Sequence, residues 1–488
     1  MNEIDKWLIS KISKLFIKFN DKDIQTINWF PKVPFDIYTC AIRLRTKINF
    51  PPKEDNDLKV VSIGNYINIL ISDNILVNQV IDIVKKNKKF GVAHNFCDDV
   101  IIEHTSLTPV YPINMATFRS SVLGNALNHY YKAHGALTHV HYLVTDRARN
   151  VELVVNYINN NLLSMRGKVD HTYGWAYCMA LHYIGKFNKI DRLKNMFPKY
   201  LDESKCAQVE DGVYTIQDYC DRCIEGHINT LEAAKIFIDV LDYESDAIVH
   251  LITNFNNFVE SIKSENSSYL LSNIAYYLKL TSQKHIVYSV VSSRQQNVIE
   301  KSISLLAHIS YTNIVPIYFN DVTSALEYED IDIIKKGIFH SVDGYIDEVC
   351  KRFNVSINEG YCALKLMFLS VNLSEKLIVD YETYSDIKKY IDILYKINNA
   401  EKFISSDKEI MKSDVLLAKK IIISYNVYSC GNRDKIRQSK DFSCHQIVSY
   451  IVSLANEIFD SCSRINKNLL ECVLLIINNG LELLGIIN

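Results

Sequence analysis

The stretch from residue 100 to residue 147 limits the fold more than any other part of the chain. VIIEHTS, starting at Val100, is β-branched and apolar and reads as a buried strand. LTPVYPINM carries two prolines and reads as a loop. ATFRSSVLGNALNHYYKAHG places Val122, Leu123, Ala126 and Leu127 at helical spacing and stops at Gly135, a helix C-cap signal. HVHYLV reads as a second strand. Strand, helix and strand within ~45 residues make a βαβ unit and predict a parallel sheet. Ligands of such sheets bind at the carboxyl ends of the strands. The loop from Thr105 to Thr117 is therefore where chemistry is expected.

The rest of the chain organises around that unit. At ~100–200 residues per domain, 488 residues suggest about three domains. Residues 1–92 read as a small α+β domain, with VVSIGNYINILIS as a strand and NILVNQVIDIVKKN as a helix. Residues 93–388 read as an α/β core, interrupted at about 150–265 by a mostly helical insertion. HIVYSVVS and RQQNVIEKSISLLAHI supply a further strand and helix of that core. Residues 389–488 read as an all-α domain. A content of 48% hydrophobic and 23% charged residues excludes a disordered chain.

Charge and cysteine narrow the partners. Lys plus Arg number 54 against 56 Asp plus Glu, a formal net charge of −2, so any nucleic-acid contact must come from local patches. One such patch is an N-terminal amphipathic helix whose Lys11, Lys14 and Lys18 stand opposite Leu8, Ile12 and Leu15. Another is the run that includes Lys85 and Lys86, where cations also suit a helix C-terminus. No DNA partner is expected. The 12 cysteines are scattered, apart from Cys220-x-x-Cys223 followed by His227. Without a second pair at zinc spacing, these read as ordinary thiols, and no metal is expected. Scattered thiols, no ~18-residue apolar run and an N-terminus broken by lysines predict a cytoplasmic protein without a membrane partner.

Five segments together resemble class I arginyl-tRNA synthetases. Ile67–Ile81 is similar to the family's N-terminal stretch, with Gly-x-Ile-Asn before a helix start. Ile102–Asn125 resembles the segment that carries the HIGH signature. Tyr142–Glu152 resembles a strand and turn written Y-x-N-D-A-G-R-Q-V-E in bacterial members. Tyr269–Gln296 resembles the amino-acid pocket. Asn478–Ile487 (NNGLELLGII) is close to the C-terminal signature. The resemblance implies a Rossmann-like class I synthetase core, an N-terminal α+β domain that contacts tRNA, and a C-terminal anticodon-binding-like bundle. It assigns tRNA contact to Lys11, Lys14, Lys18, Lys85 and Lys86, and the aminoacyl pocket to Tyr269, Asn273, Gln295 and Gln296.

The departures from the family shape the expected activity. Aligned on Arg119-Ser120-Ser121 and Gly124, the chain has Asn114-Met115-Ala116-Thr117 where His-x-Gly-His is expected. Both histidines that match growing phosphate charge are gone, and Ala116 adds a methyl where adenine would approach. The second signature, a KMSK-type loop, corresponds to FNDVTSALEYEDIDIIKKG, acidic at Glu327, Glu329, Asp330 and Asp332, with Lys335 and Lys336 as poorly placed substitutes. Asn273 stands where the family has a guanidinium-facing aspartate, and an amide makes the weaker contact.

No ATP or other cofactor is therefore expected. The leading expectation is a protein that uses aminoacyl-tRNA, arginyl-tRNA above all, as donor for peptide or amide bond formation. Cyclodipeptide synthases are the precedent, and a second aminoacyl-tRNA or an amino acid would be the acceptor. Ser106, Ser120 and Asp146 are the candidate catalytic residues: a hydroxyl nucleophile and a base at the strand ends, though Ser and Thr there also serve as helix caps. The alternatives are a non-catalytic tRNA-binding regulator or partner subunit, and a divergent active arginine–tRNA ligase.

Overall fold

The computed structural model describes residues 3–15, 21–30, 39–45, 52–54, 57–92, 99–161, 168–185, 215–262, 268–281, 285–310, 312–324, 341–379, 384–400, 410–428, 443–460 and 465–487. The chain opens with helix α1 (Glu3–Leu15), which buries Ile4, Leu8, Ile9 and Ile12 and leaves Lys14 outward. Lys18 lies outside the described residues. Strands β1 (Ile24–Trp29), β2 (Cys40–Leu44), β3 (Lys53–Glu54), β4 (Leu58–Ile63) and β5 (Tyr66–Ile71) form an antiparallel sheet in the order β1-β2-β5-β4-β3, followed by α2 (Asp73–Lys86). The stretch read as one strand is thus a hairpin. Gly64, at φ +61°, takes the left-handed conformation that a tight two-residue turn requires, and Ile63 pairs with Tyr66 across it.

The α/β core begins with β6 (Asp99–Leu107), α3 (Met115–Ala133) and β7 (Leu137–Val144). Helices α4 (Arg149–Asn161), α5 (Val169–Tyr183) and α6 (Ile216–Ala233) lead to β8 (Val240–Tyr243), α7 (Glu244–Ile262) and α8 (Ser268–Thr281). Then come β9 (Ile286–Ser292), α9 (Gln296–Leu306), β10 (Ile314–Phe319), β11 (Val322–Ser324), α10 (Val342–Phe353), α11 (Ile357–Leu369) and β12 (Leu377–Val379). The main sheet is parallel, in the order β10-β9-β6-β7-β8. The chain runs outward from β6 through β7 to β8, then returns to β9 on the other side of β6. That reversal makes the carboxyl ends of β6 and β9 the expected ligand crevice.

Two strands of this sheet escaped the sequence pattern. β8 is a four-residue edge strand inside the stretch read as helical, too short to show alternation. β10 contains Pro316, which lacks an amide donor, and its place at the sheet edge makes that tolerable.

The chain closes with α12 (Ser385–Asn398), α13 (Lys412–Tyr428), α14 (Cys444–Asp460) and α15 (Lys467–Leu483). It divides into two compact units. One gathers Met1–Ala93, Asp392–Asn432 and Gln446–Leu483; the other gathers His94–Ile391, Arg433–His445 and Leu484–Asn488.

In the first unit α15 lies against the end of α2. Asn479 donates to the carbonyls of Lys88 and Phe90 at 3.0 and 3.2 Å, and Lys85 pairs with Glu471 at 3.0 Å. In the second unit Gly485 and Ile486 dock against α3 and α11. Lys365 Nζ donates to the Gly485 carbonyl at 2.6 Å, and Asn125 Nδ2 to the same oxygen at 3.3 Å. No helix among the described residues is long and apolar enough to cross a membrane.

Lys365 is 1% exposed, and burial lowers its ammonium from 10.5 to about 8. Holding a charge there destabilises the fold below pH 8, and the penalty fades as pH rises to about 10.5. Denaturant midpoints at pH 7.5 and 10 should show wild type gaining about 3 kcal/mol relative to Lys365→Met over that interval. Parallel pH dependences for the two proteins would contradict this.

Candidate functional site

The β6–α3 junction is built from both sides. Asn114 is the N-cap of α3, its Oδ1 accepting the Thr117 amide at 3.0 Å. Its side chain is thus spent on the helix. Met115 is buried, and Ala116 and Thr117 are half-buried. The first turn, Met115–Phe118, carries no charged side chain.

Arg119, the nearest cation in sequence, is turned inward. It is fully buried and donates to the carbonyls of Asn320, Glu375 and Asn372 at 2.7, 3.3 and 3.3 Å. Burial lowers its guanidinium to about 10. It ties α3 to the chain around β11 and β12 and does not face a ligand.

A chain of hydroxyls joins β6 to the same turn. Ser121 Oγ donates to the Thr117 carbonyl at 3.1 Å, so it accepts from Thr105 Oγ1 at 2.8 Å. Thr105 in turn accepts from His104 Nδ1 at 2.7 Å. The direction fixes His104 as the Nδ1–H tautomer, with a buried Nε2 that has no partner. Burial lowers its imidazole to about 3, so it stays neutral. The ring fills the space above Gly124, where a Cβ would stand 2.2 Å from His104 Cβ. His104 is a packing residue and does not act as a base.

The two candidate serines differ. Ser120 is 7% exposed, and its Oγ donates to the Thr117 carbonyl at 2.7 Å. Ser106 is exposed at the carboxyl end of β6, in register with Leu143, and its hydroxyl has no partner among the described residues. Asp146 lies just past β7, where its Oδ1 accepts the Ser245 amide at 3.0 Å and so holds the start of α7. Between the strand ends, Thr108 and Thr145 share a hydroxyl bond at 2.8 Å.

The proposed pocket residues fall on α8 and the end of β9. Tyr269 is 42% exposed, and its hydroxyl is pushed up by burial and then by the Glu103 and Glu244 charges nearby. Asn273 is buried and donates to the Tyr269 carbonyl at 2.9 Å. Gln295 is half-buried after β9, while Gln296 is exposed and donates to Glu300 at 3.0 Å on its own helix.

Glu103 was missed. It is 3% exposed in mid-strand and accepts from Ser289 Oγ at 2.6 Å, with Tyr277 behind Ser289 at 3.0 Å. Burial pushes its carboxyl up to about 7. A carboxylate inside the β-branched run VIIEHT was the available signal, since buried acids need a partner. Two strands over, on β8, Asp242 is held by His141 and Lys279, both at 2.7 Å. Lys279 thus meets the charge of Asp242, while Glu103 is met by a hydroxyl.

In the Cys220, Cys223 and His227 group the histidine is already engaged. His227 Nε2 donates to the Tyr111 carbonyl at 2.8 Å, and Nδ1 accepts from Tyr142 at 2.7 Å. Both ring nitrogens are thus used, and burial pushes the Cys220 thiol up to about 12. A second cluster, Asp170, His171 and Asp343, has its ligand atoms within 4.8 Å of one another. Lys168 Nζ already sits among them, 2.6 Å from Asp343 and 3.2 Å from Asp170. Burial pushes the Asp343 carboxyl up, but the His171 hydrogen bond and the Lys168 charge outweigh it and hold it well below the usual carboxylate range.

Comparison with known proteins completes the picture. No family model matches the chain. It is 23% identical to the arginine–tRNA ligase of Methanosphaera stadtmanae, over 71% of this chain and 67% of that one. The corresponding ligase of Methanocaldococcus jannaschii is 20% identical, over 88% and 86%. The fold matches the Thermus thermophilus arginyl-tRNA synthetase with a TM-score of 0.66 over 99% of both chains, at 14% identity. The chain is thus similar in sequence to arginine–tRNA ligases and shares the fold of the arginyl-tRNA synthetase. Asn114–Thr117, the stretch aligned in the sequence with the first signature, forms an uncharged helix cap and first turn. Of the second, the described residues include only the flanks: Glu327, Glu329, Asp330, Asp332, Lys335 and Lys336 lie outside them.

Proposed function

We propose that this protein takes an arginyl group already esterified to tRNA and passes it to an amine or hydroxyl acceptor without ATP. The observation that carries this reading is the asymmetry of the crevice. The α3 N-terminus has lost the cations that stabilise a reacting phosphate, and Arg119 is spent on carbonyls. The amino-acid side would be served by a buried carboxylate, Glu103, whose charge reaches Tyr269. Acyl transfer from tRNA needs no phosphate chemistry. Ser106 Oγ would attack the ester carbonyl and give its proton to a base, which passes it to the departing ribose oxygen; the acceptor would then attack the seryl ester, its proton returning through the base to the released Ser106 Oγ.

The first unit would offer tRNA its cations. Lys14 and Lys86 are exposed and free there, and Arg43 stands 5.9 Å over the Tyr66 ring. Lys11 and Lys85 contribute less, being paired with Asp57 and Glu471 at 3.2 and 3.0 Å. Cytoplasmic tRNA is the natural partner for such a protein. A second aminoacyl-tRNA or a free amine would serve as acceptor.

The test uses tRNA charged with labelled arginine, without ATP. Wild type should release label into a new small product. Ser106→Ala should slow release by about 10²-fold or more, while Ser120→Ala stays within a few-fold. Equal rates for Ser106→Ala and wild type would remove the serine intermediate. Arginine-dependent ATP–pyrophosphate exchange would instead favour a divergent ligase. A gel-shift complex without turnover would favour a tRNA-binding regulator.

A further inference from the structure

The cap of α3 and the residues that open α10 meet through their backbones. Asn114 and Ser341 form an antiparallel bridge, and the Val342 amide donates to the Ile113 carbonyl at 3.0 Å. Ser341 caps α10 through the Gly344 amide at 3.1 Å. One bridge is too short to hold two distant stretches of chain together. The additional hold is close by, at Asp343 in the first turn of α10.

We propose that Asp343 is the positioning residue that keeps Asn114 and Ser341 side by side, and so sets the orientation of the α3 N-terminus. Its carboxylate collects four donors from three directions. Lys168 Nζ, at the start of α5, lies 2.6 Å from Oδ2, and His171 Nε2 lies 3.0 Å from the same oxygen. Thr230 of α6 donates to Oδ2 at 3.0 Å, and Tyr361 of α11 donates to Oδ1 at 3.1 Å.

Asp170 is the other carboxylate of the cluster. It shares Lys168 at 3.2 Å and presses against Gly226, where a Cβ would stand 2.6 Å from its carboxyl. Charge and hydrogen bonds therefore converge on the first turn of α10 from α5, α6 and α11. Any shift of Asp343 is passed by Val342 to Ile113, and from there to the cap of α3. A ligand group at that helix end would feel the shift as misplacement. This functional consequence rests on the aminoacyl-transfer reading; the positioning role does not.

The experiment compares Asp343→Asn with Tyr361→Phe and Thr230→Val, which remove single donors without stranding a buried cation. Backbone hydrogen exchange is read at Thr117 and Phe118, whose amides bond to Asn114. Asp343→Asn should speed their exchange by about tenfold or more, with graded smaller effects in the other two and none in β6 or β7. In the transfer assay the same variant should lower kcat by about tenfold while KM for charged tRNA stays within about twofold. Unchanged exchange at Thr117, or acceleration spread evenly over the sheet, would overturn the proposal. Local acceleration in a protein whose wild type shows no turnover would leave the positioning role standing and overturn the transferase reading alone.

Discussion

Gly124→Ala should destabilise the protein by about 3 kcal/mol or more, seen as a large drop in melting temperature. The added methyl would stand 2.2 Å from His104 Cβ and 2.4 Å from its Cγ and Cδ2. Neither chain can yield cheaply, because the Cβ is fixed to β6 and the ring is tied through Thr105 and Ser121 to the first turn of α3. Shortening the partner tests the cause. Gly124→Ala combined with His104→Gly should be less damaging than the sum of the two single changes, since the second removes both the Cβ and the ring that the first would meet. Simple additivity would mean that the collision is not what the glycine avoids.

Glu103→Gln should raise stability at pH 8 and leave it nearly unchanged at pH 4. The wild-type carboxyl titrates at about 7 in the fold against 4.5 as a free side chain. Below pH 4.5 both states hold the proton, and the folded form loses nothing. Between 4.5 and 7 the unfolded chain ionises first, so wild type loses about 3 kcal/mol of stability across that window, a slope that the amide variant lacks. The same group predicts ligand behaviour. A guanidinium bound at Glu103 would expel its proton, so at pH 6 calorimetry in buffers of different ionisation heat should report close to one proton released per arginyl group bound. Glu103→Gln should abolish that release. Proton-neutral binding in wild type would place the cation elsewhere.

Much of the fold was legible because its elements are locally consistent. The β6–α3–β7 unit follows from a β-branched run, a helical stripe and Gly135, and it stands within a few residues of where the pattern puts it. The hairpin at Gly64 was hidden because alternating residues on both sides of a two-residue turn look like one longer strand. β8 and β10 were hidden by shortness and by Pro316.

The site was less legible than the fold. Ser106 and Ser120 have equal standing in a sequence, and only the helix geometry shows that one hydroxyl is already bonded to Thr117. Asn114 reads as a lost histidine in an alignment but as a working cap in the structure. The Asp343 cluster joins residues separated by up to 175 positions, and no local pattern announces it.

The docked tail has a consequence for how the chain is made. Gly485 turns at φ +62° between Asn125 and His129, where no side chain would fit, and its carbonyl reaches Asn125 across 360 residues. Contacts of that sequence separation form late, because the intervening loop must close before they contribute. As α3 leaves the ribosome, the partner that completes its environment has yet to be synthesised. Nascent chains halted after α11 should therefore hold an α3 still open to protease, and only synthesis through Ile486 should protect it.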